Sequence, residues 1–126
     1  MKFLSHLEPV VYAALRIVCG FLFSCHGAQK LFGAFGGHAQ LHDYWMLAAG
    51  VIEFAAGILI LLGVLTRLAA FIASGEMAFA YFLKHSGWGM NFFPIMNHGE
   101  AAVLYCFVFF FIACRGAGKF AAADKS

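Results

Sequence analysis

Ionisable side chains within long apolar stretches are the feature of this sequence that points most directly to chemistry. Arg16, Glu53 and Glu76 each stand in such a stretch. At the centre of a membrane span such a side chain costs about 2.5 to 3.5 kcal/mol on insertion scales, so each needs a partner or a proton. At 1.5 Å per residue, both acids fall within roughly 5 Å of the centres of their stretches, and Arg16 lies about 10 Å deep. The spacing therefore predicts a charge clasp in which Arg16 pairs with Glu53, Glu76 or both, although such a clasp can also fix helix register without chemistry.

A second polar group is predicted at the opposite end of the first apolar stretch. His26 and Lys30 lie within about 40° of each other on a helix, and they would meet His98 and Glu100 under a loop that carries Trp88. Hydrogen-bond donors beneath an aromatic loop suit a quinone head group, whose carbonyls accept hydrogen bonds and whose reduction needs protons. These five residues are the predicted quinone-binding candidates. The alternative interpretation is that Lys30 extends to the membrane interface with Glu100 as its counter-ion.

Histidine and cysteine are the remaining residue types that could bind a metal or take part in a reaction. His38 and His42 have the i, i+4 spacing that haem or copper ligands can use, but histidines in interfacial loops are more often solvated, so neither haem nor another metal is expected. The cysteines have no C-x-x-C pair and match no zinc template, which favours their interpretation as small buried apolar residues. They are Cys19, Cys25, Cys106 and Cys114.

The composition predicts the environment of these groups. Of 126 residues, 63% are hydrophobic and 11% are charged, against about 25% charged in an ordinary soluble domain. That is too little polar surface for a water-soluble globule, so the chain is predicted to contact the lipid bilayer. A net charge of +2 without a basic run excludes nucleic-acid binding.

Four apolar segments place the polar residues on helices. They predict one domain over residues 1–126, an all-α integral membrane four-helix bundle with helices over about 10–32, 44–66, 68–84 and 98–115. The first helix carries so many polar residues that it must pack inside the bundle.

The distribution of Lys and Arg predicts the orientation of the bundle. Cytoplasmic loops are enriched in these residues, and the side that holds both termini carries five of them against two. Both termini are therefore expected in the cytoplasm. The five are Lys2, Arg67, Arg115, Lys119 and Lys125, and the two are Lys30 and Lys84.

The order of glycines and polar residues resembles the DoxX family. The runs that carry the resemblance are Arg16-Ile-Val-Cys-Gly20, His26-Gly27, Lys30-Leu-Phe-Gly33, Glu53 with Gly57, Leu61-Leu-Gly-Val-Leu-Thr-Arg67, Asn97-His-Gly-Glu100 and Gly116-Ala-Gly118. The resemblance implies a four-helix protein of the bacterial inner membrane. It also implies a distant relation to the DoxD subunit of thiosulfate:quinone oxidoreductase and to the methylamine-utilisation protein MauE. The polar residues typical of the family correspond to Arg16, His26, Lys30, Glu53, Arg67 and Glu100.

Three functional hypotheses follow from the residues and the resemblance. The first is a quinone-interacting or accessory subunit of a membrane redox complex, in which Lys30 and His26 donate to the head group and Glu100 or Glu76 accepts protons. The second is a non-enzymatic assembly subunit that packs against a larger membrane complex or another copy of itself. The third is a small bundle that conducts a solute or protons, since acids at mid-depth can mark a pathway. Whether the chain catalyses a reaction is left open, and quinone is the one cofactor considered.

Overall fold

Helices make up the regular structure of this protein. The computed structural model describes residues 1–39, 41–85 and 93–123, with only the backbone of Lys84, His85 and Asn97, and this part of the chain contains no strand. The prediction of an all-α chain is confirmed. The elements in chain order are α1 (Lys2–His6), α2 (Glu8–Phe32), α3 (Tyr44–Leu62), α4 (Thr66–Ala80) with a π-helical turn (Tyr81–His85) directly after it, α5 (Pro94–Asn97) and α6 (Glu100–Arg115).

The observed helix boundaries differ most from the predicted ones at the turn between the second and third predicted helices. The second was predicted to run to residue 66, but α3 ends at Leu62 because Gly63 takes a left-handed conformation, φ +76, and closes the helix. Leu65 also has a positive φ, +48, and α4 begins directly after it. The last helix was predicted from residue 98, but it begins at Glu100 because His98 has φ +60.

Helices α2 and α3 approach each other backbone to backbone through glycines. A Cβ atom at Gly57 would lie 2.5 Å from the backbone nitrogen of Ser24, and one at Gly20 would lie 2.6 Å from that of Leu61. Small residues at helix interfaces in membranes permit this close approach. The contact therefore fixes which face of α3 is turned towards α2.

Helices α4 and α6 form a second close pair. Their contact uses Ala69, Ala70 and Ala73, all buried, and the Ser74 hydroxyl donates a 2.8 Å hydrogen bond to the Cys106 carbonyl. Larger side chains fill the space between this pair and α2. They are the aromatic rings of Phe23, Tyr105 and Phe109, with 4.7 Å between the centroids of Phe23 and Phe109.

The segment after α6 folds back over the amino-terminal part of α2 and is held there by the buried side chain of Arg16. Its guanidinium donates to the carbonyls of Ala117, Lys119 and Phe120. The predicted clasp of Arg16 with Glu53 or Glu76 is therefore wrong. Backbone carbonyls accept from both terminal nitrogens of this cation, because three of them converge where the chain leaves α6 and no regular structure competes for their lone pairs. Its buried Nε has no partner among the described residues.

The outer surface of the helices is largely apolar. Helices α2 and α3 are long and apolar enough to cross a membrane, judged by length and composition. The outward faces of α4 and α6 carry large exposed side chains such as Leu68, Phe71, Leu104 and Phe107. Soluble monomers rarely expose contiguous apolar surface on this scale, so this surface is suited to contact with lipid.

The close contact of α2 and α3 generates a matched pair of glycine substitutions. Gly57→Ala places a methyl group against the backbone of α2, and we expect it to lower the free energy of unfolding by about 1 to 3 kcal/mol, the usual range for overpacking. Gly75→Ala on α4 meets no atom within 4 Å, and replacing a helical glycine there should leave stability unchanged or raise it by up to about 1 kcal/mol. Thermal unfolding in detergent measures both. Equal effects of the two substitutions would contradict the proposed backbone contact.

Candidate functional site

A charge pair between α2 and α3 is the centre of the candidate site. The ammonium of Lys30 donates to both carboxylate oxygens of Glu53, at 2.6 Å from Oε1 and 2.5 Å from Oε2. Glu53 is only 1% exposed, whereas the Lys30 side chain retains 21% exposure. A buried carboxylate without such a partner would be strongly destabilising, so this pair determines which residues of α2 and α3 face each other.

The sequence of α3 explains why Glu53 points at α2. Helix α3 begins after Asp43, whose side chain accepts hydrogen bonds from the backbone of Trp45 and Met46. Gly50, Glu53 and Gly57 then fall on one face, at the three- and four-residue spacing of a helix. A Cβ atom at Gly50 would lie 3.0 Å from the Cβ of Lys30. The two glycines thus bring α2 close enough for the lysine side chain to reach the acid between them.

A second acid from α4 lies beside this pair. The carboxyl group of Glu76 lies within hydrogen-bonding reach of that of Glu53. Glu76 Oε1 is buried and, among the described residues, has no hydrogen-bond partner. Three helices therefore each contribute one ionisable group to the same small volume.

These groups face a cavity of about 770 Å³ that is partly open to the outside of the bundle. Residues of α2, α3, α4 and α6, together with Leu83 of the π-helical turn, form its walls. The edge of the His26 ring meets the ring of Tyr105 at 6.0 Å, and the rings of Trp45 and Phe79 lie 5.9 Å apart at an angle of 30°. Most of the described walls are apolar. The polar side chains that line them include Lys30, Glu53, Glu76, His26, His98 and Tyr105.

The structure brings together residues that the sequence analysis had placed in two separate groups. His26, Lys30 and His98 of the predicted quinone site line the same cavity as Glu53 and Glu76 of the predicted clasp. The reason is that the lysine side chain extends back along α2 from near the end of the helix and reaches the depth of the acids.

The described residues of the cavity wall do not include the other two predicted quinone-binding candidates, Glu100 and Trp88. Glu100 is exposed at the start of α6 and is not among the described residues that line the cavity. The alternative pairing of Lys30 with Glu100 is wrong, because Glu53 is the acid bonded to Lys30. Trp88 lies outside the described residues.

The sequence analysis missed the aromatic walls of the site. Trp45, Phe79 and Tyr105 line the cavity, but their spacing in the sequence resembles that of many other aromatic residues in this chain. Trp45 has one local signal, because it follows the capping residue Asp43 and so belongs to the first turn of α3. The described part of the chain holds no group of three or more His, Cys, Asp or Glu residues arranged to bind a metal ion.

The ion pair generates a double-mutant prediction. Lys30→Met strands a buried carboxylate and should lower the free energy of unfolding by about 3 to 5 kcal/mol, less if the acid takes up a proton. The double variant Lys30→Met with Glu53→Gln should recover most of that loss, because a buried pair can be replaced by neutral groups at little cost. Thermal and denaturant unfolding in detergent measure the cycle.

The matched control is the pair of Arg115 with Glu8, which lies at the surface. Glu8→Gln should cost at most about 1 kcal/mol, as exposed pairs usually do. Additive effects of the two substitutions at Lys30 and Glu53 would refute the coupling between them.

Comparison with known proteins identifies the family. The family described as DoxX matches residues 11–86, which include Arg16, His26, Lys30, Glu53 and Glu76. An uncharacterized protein of Haemophilus influenzae is 44% identical over 130 residues, covering 99% of this chain and 97% of the relative. No solved structure matches the chain. The similarity extends over nearly the whole chain, and the protein belongs to the DoxX family of membrane proteins.

Proposed function

We propose that this protein is an integral membrane four-helix bundle whose cavity binds the head group of a lipid-soluble quinone, as a quinone-binding or accessory subunit of a membrane redox system. The observation that carries the proposal is a mostly apolar cavity whose walls also include Lys30, Glu53 and Glu76. A ligand for such a cavity needs an apolar ring or tail and at least one group that forms hydrogen bonds.

Helix lengths and surface composition support the membrane-spanning bundle. Helix α4 and its π-helical turn run over residues 66–85, roughly 30 Å at 1.5 Å per residue, which matches the hydrocarbon core of a bilayer. Helix α6 is shorter, with 16 residues, but its outward face carries Leu104, Phe107 and Phe110. The charged groups of the cavity turn inward, as intramembrane polar residues do.

The orientation in the bacterial inner membrane is part of the proposal. The carboxyl end of α6, the start of α2 and the turn before α4 lie at one end of the bundle, because Arg67 donates to the carbonyls of Cys114 and Arg115 and Arg115 pairs with Glu8. This end carries most of the Lys and Arg residues, so the positive-inside rule places it in the cytoplasm. The cavity then lies towards the periplasmic side.

Cysteine labelling tests this orientation. In a variant that lacks the native cysteines, a reporter cysteine at Gly37 should react with an impermeant maleimide added to spheroplasts. A reporter at Ala122 should react only after permeabilisation. The reverse pattern would invert the proposed orientation.

The size and walls of the cavity favour a quinone. Ligand pockets usually enclose about 300 to 1,000 Å³, and this one falls in that range. Trp45, Phe79 and Tyr105 offer flat apolar surfaces for a ring, while His26 and Lys30 supply donors for ring carbonyls. The open side of the cavity, bordered by apolar residues, gives an isoprenoid tail a route into the bilayer.

In this role the chain's own residues bind and orient the ring and exchange protons with it. Electrons would be exchanged with a partner subunit that docks near the cavity. The relative from Haemophilus influenzae is uncharacterized, so the argument for quinone comes from the cavity.

Fluorescence quenching tests quinone binding directly. In lipid nanodiscs, a Trp88→Phe variant retains Trp45 in the cavity wall as its reporter, since the chain has two tryptophans. A short-chain ubiquinone or menaquinone analogue should quench Trp45 saturably. The double variant Lys30→Met with Glu53→Gln should remain folded but lose a charge-assisted hydrogen bond, worth about 1.5 to 3 kcal/mol, so its affinity should fall by roughly ten-fold to a hundred-fold.

Lys119→Met is the matched control, because Lys119 is an exposed lysine in the segment after α6. It should bind the quinone as the parent does. The proposal fails if quenching in the parent does not saturate, or if both lysine variants lose affinity equally. A parent that binds no quinone but copurifies in stoichiometric amount with a larger membrane protein would instead support the assembly role.

A further inference from the structure

Among the described residues that line the cavity, carboxyl groups outnumber ammonium groups. Lys30 supplies one positive charge, whereas Glu53 and Glu76 supply two carboxyl groups. The ammonium of Lys30 is bonded to both oxygens of Glu53. Among the described residues Glu76 is therefore the carboxyl group in excess. It lies within hydrogen-bonding reach of Glu53, and its buried Oε1 has no partner there.

Among the described residues, the neighbours of Glu76 provide no second cation bonded to it. His26 and Lys30 of α2, Glu53 of α3, Tyr105 of α6 and His98 before it line the same cavity. The arginines at the other end of the bundle are engaged elsewhere. Arg16 and Arg67 bind backbone carbonyls, and Arg115 binds Glu8.

Two carboxylates within hydrogen-bonding reach of each other beside a single ammonium repel, so one of them is far less costly as a neutral carboxylic acid. The neutral acid differs from the carboxylate in one chemical respect that matters for a ligand, because it carries an O–H that can donate a hydrogen bond. A quinone carbonyl can only accept hydrogen bonds, whereas each hydroxyl of a quinol can also donate one.

We propose that Glu76 holds a proton, shared with Glu53 before the ligand binds, and turns it to donate a hydrogen bond to a carbonyl of the bound quinone, so that its protonation state selects between quinone and quinol. This inference rests on the proposed function. Protonated Glu76 favours the quinone, and the carboxylate, which accepts from a quinol hydroxyl, favours the quinol. Both steps are binding steps, and neither requires an electron donor in this chain.

The sign of the pH dependence follows from this assignment. Because the quinone binds the protonated form, its dissociation constant should rise with pH through the titration of Glu76, approaching ten-fold per pH unit above the midpoint for one linked proton. Quinol binding should change in the opposite direction. Crossed pH profiles of the two ligands therefore characterise the site.

The experiment compares the parent protein, Glu76→Gln and Glu100→Gln in nanodiscs, with Trp45 quenching as the readout in the Trp88→Phe background. The oxidised short-chain quinone and the same compound reduced beforehand and kept under argon are titrated from pH 5 to pH 9. Parent and Glu100→Gln should show crossed profiles, because Glu100 is exposed at the start of α6. The affinity of Glu76→Gln for both ligands should not change with pH, because an amide donates and accepts hydrogen bonds but does not titrate.

Each outcome has a distinct meaning. Crossed profiles that persist in Glu76→Gln would overturn the assignment to Glu76 and point to His26 or His98. Flat profiles in a parent that binds quinone would overturn the proton-linked selection and leave quinone binding intact. A parent that binds neither ligand at any pH would refute the proposed function itself.

Infrared difference spectroscopy on the parent answers the same question if Glu76→Gln does not fold. Quinone binding at low pH should shift the C=O stretching band of a protonated carboxylic acid, because the acceptor of its O–H changes from Glu53 to the quinone. A spectrum without any protonated carboxyl band in the quinone-bound protein would overturn the proposal.

Discussion

The ion pair between Lys30 and Glu53 is the interaction on which the rest of the candidate site depends. Neither group can remain charged in apolar surroundings without the other, so the pair fixes the register of α2 against α3. It forms only because Gly50 and Gly57 flank the acid on the same face and allow the two backbones to approach closely. The cavity then opens beside the pair, where α4 and α6 are held away from α2 by aromatic rings.

The two ends of the bundle satisfy their buried cations in different ways. Arg16 is fully buried and donates to three carbonyls of the segment after α6, which ties that segment to α2. Lys30 is bonded to one acid, Glu53, and the described residues provide no second cation for the neighbouring Glu76. The groups that could bind a ligand or exchange protons are therefore concentrated at the Lys30 end, and the Arg16 end serves to hold the chain together.

Much of the architecture could be predicted from the sequence because it follows from local rules. The apolar segments and the glycines that end them predict helices, and the spacing of His26 and Lys30 places both on one face. Glu53 could be identified as an acid that requires a partner. The identity of that partner could not, since helix depth is uncertain by a few residues and a lysine side chain spans more than a helical turn.

The errors have a common physical origin in contacts that leave no periodic signal. Arg16 binds carbonyls of an irregular segment, and the conformation of that segment depends on Gly116 and Gly118 at positive φ rather than on any repeated pattern. The cavity arises from the spacing between two helix pairs, which depends on the sizes of Phe23, Tyr105 and Phe109 together. Such features become visible only when all four long helices are placed in space.

Photoaffinity labelling with an azidoquinone tests the central claim most directly. After irradiation of the protein in native-like membranes, mass spectrometry should locate label in cavity-lining peptides around His26 to Lys30, Trp45 to Glu53 and Ala101 to Tyr105, and excess unlabelled quinone should suppress it. A quinone site in this cavity would be contradicted if the label were spread over the outward faces of α4 and α6, for example at Phe71 and Phe107, and if unlabelled quinone did not suppress it.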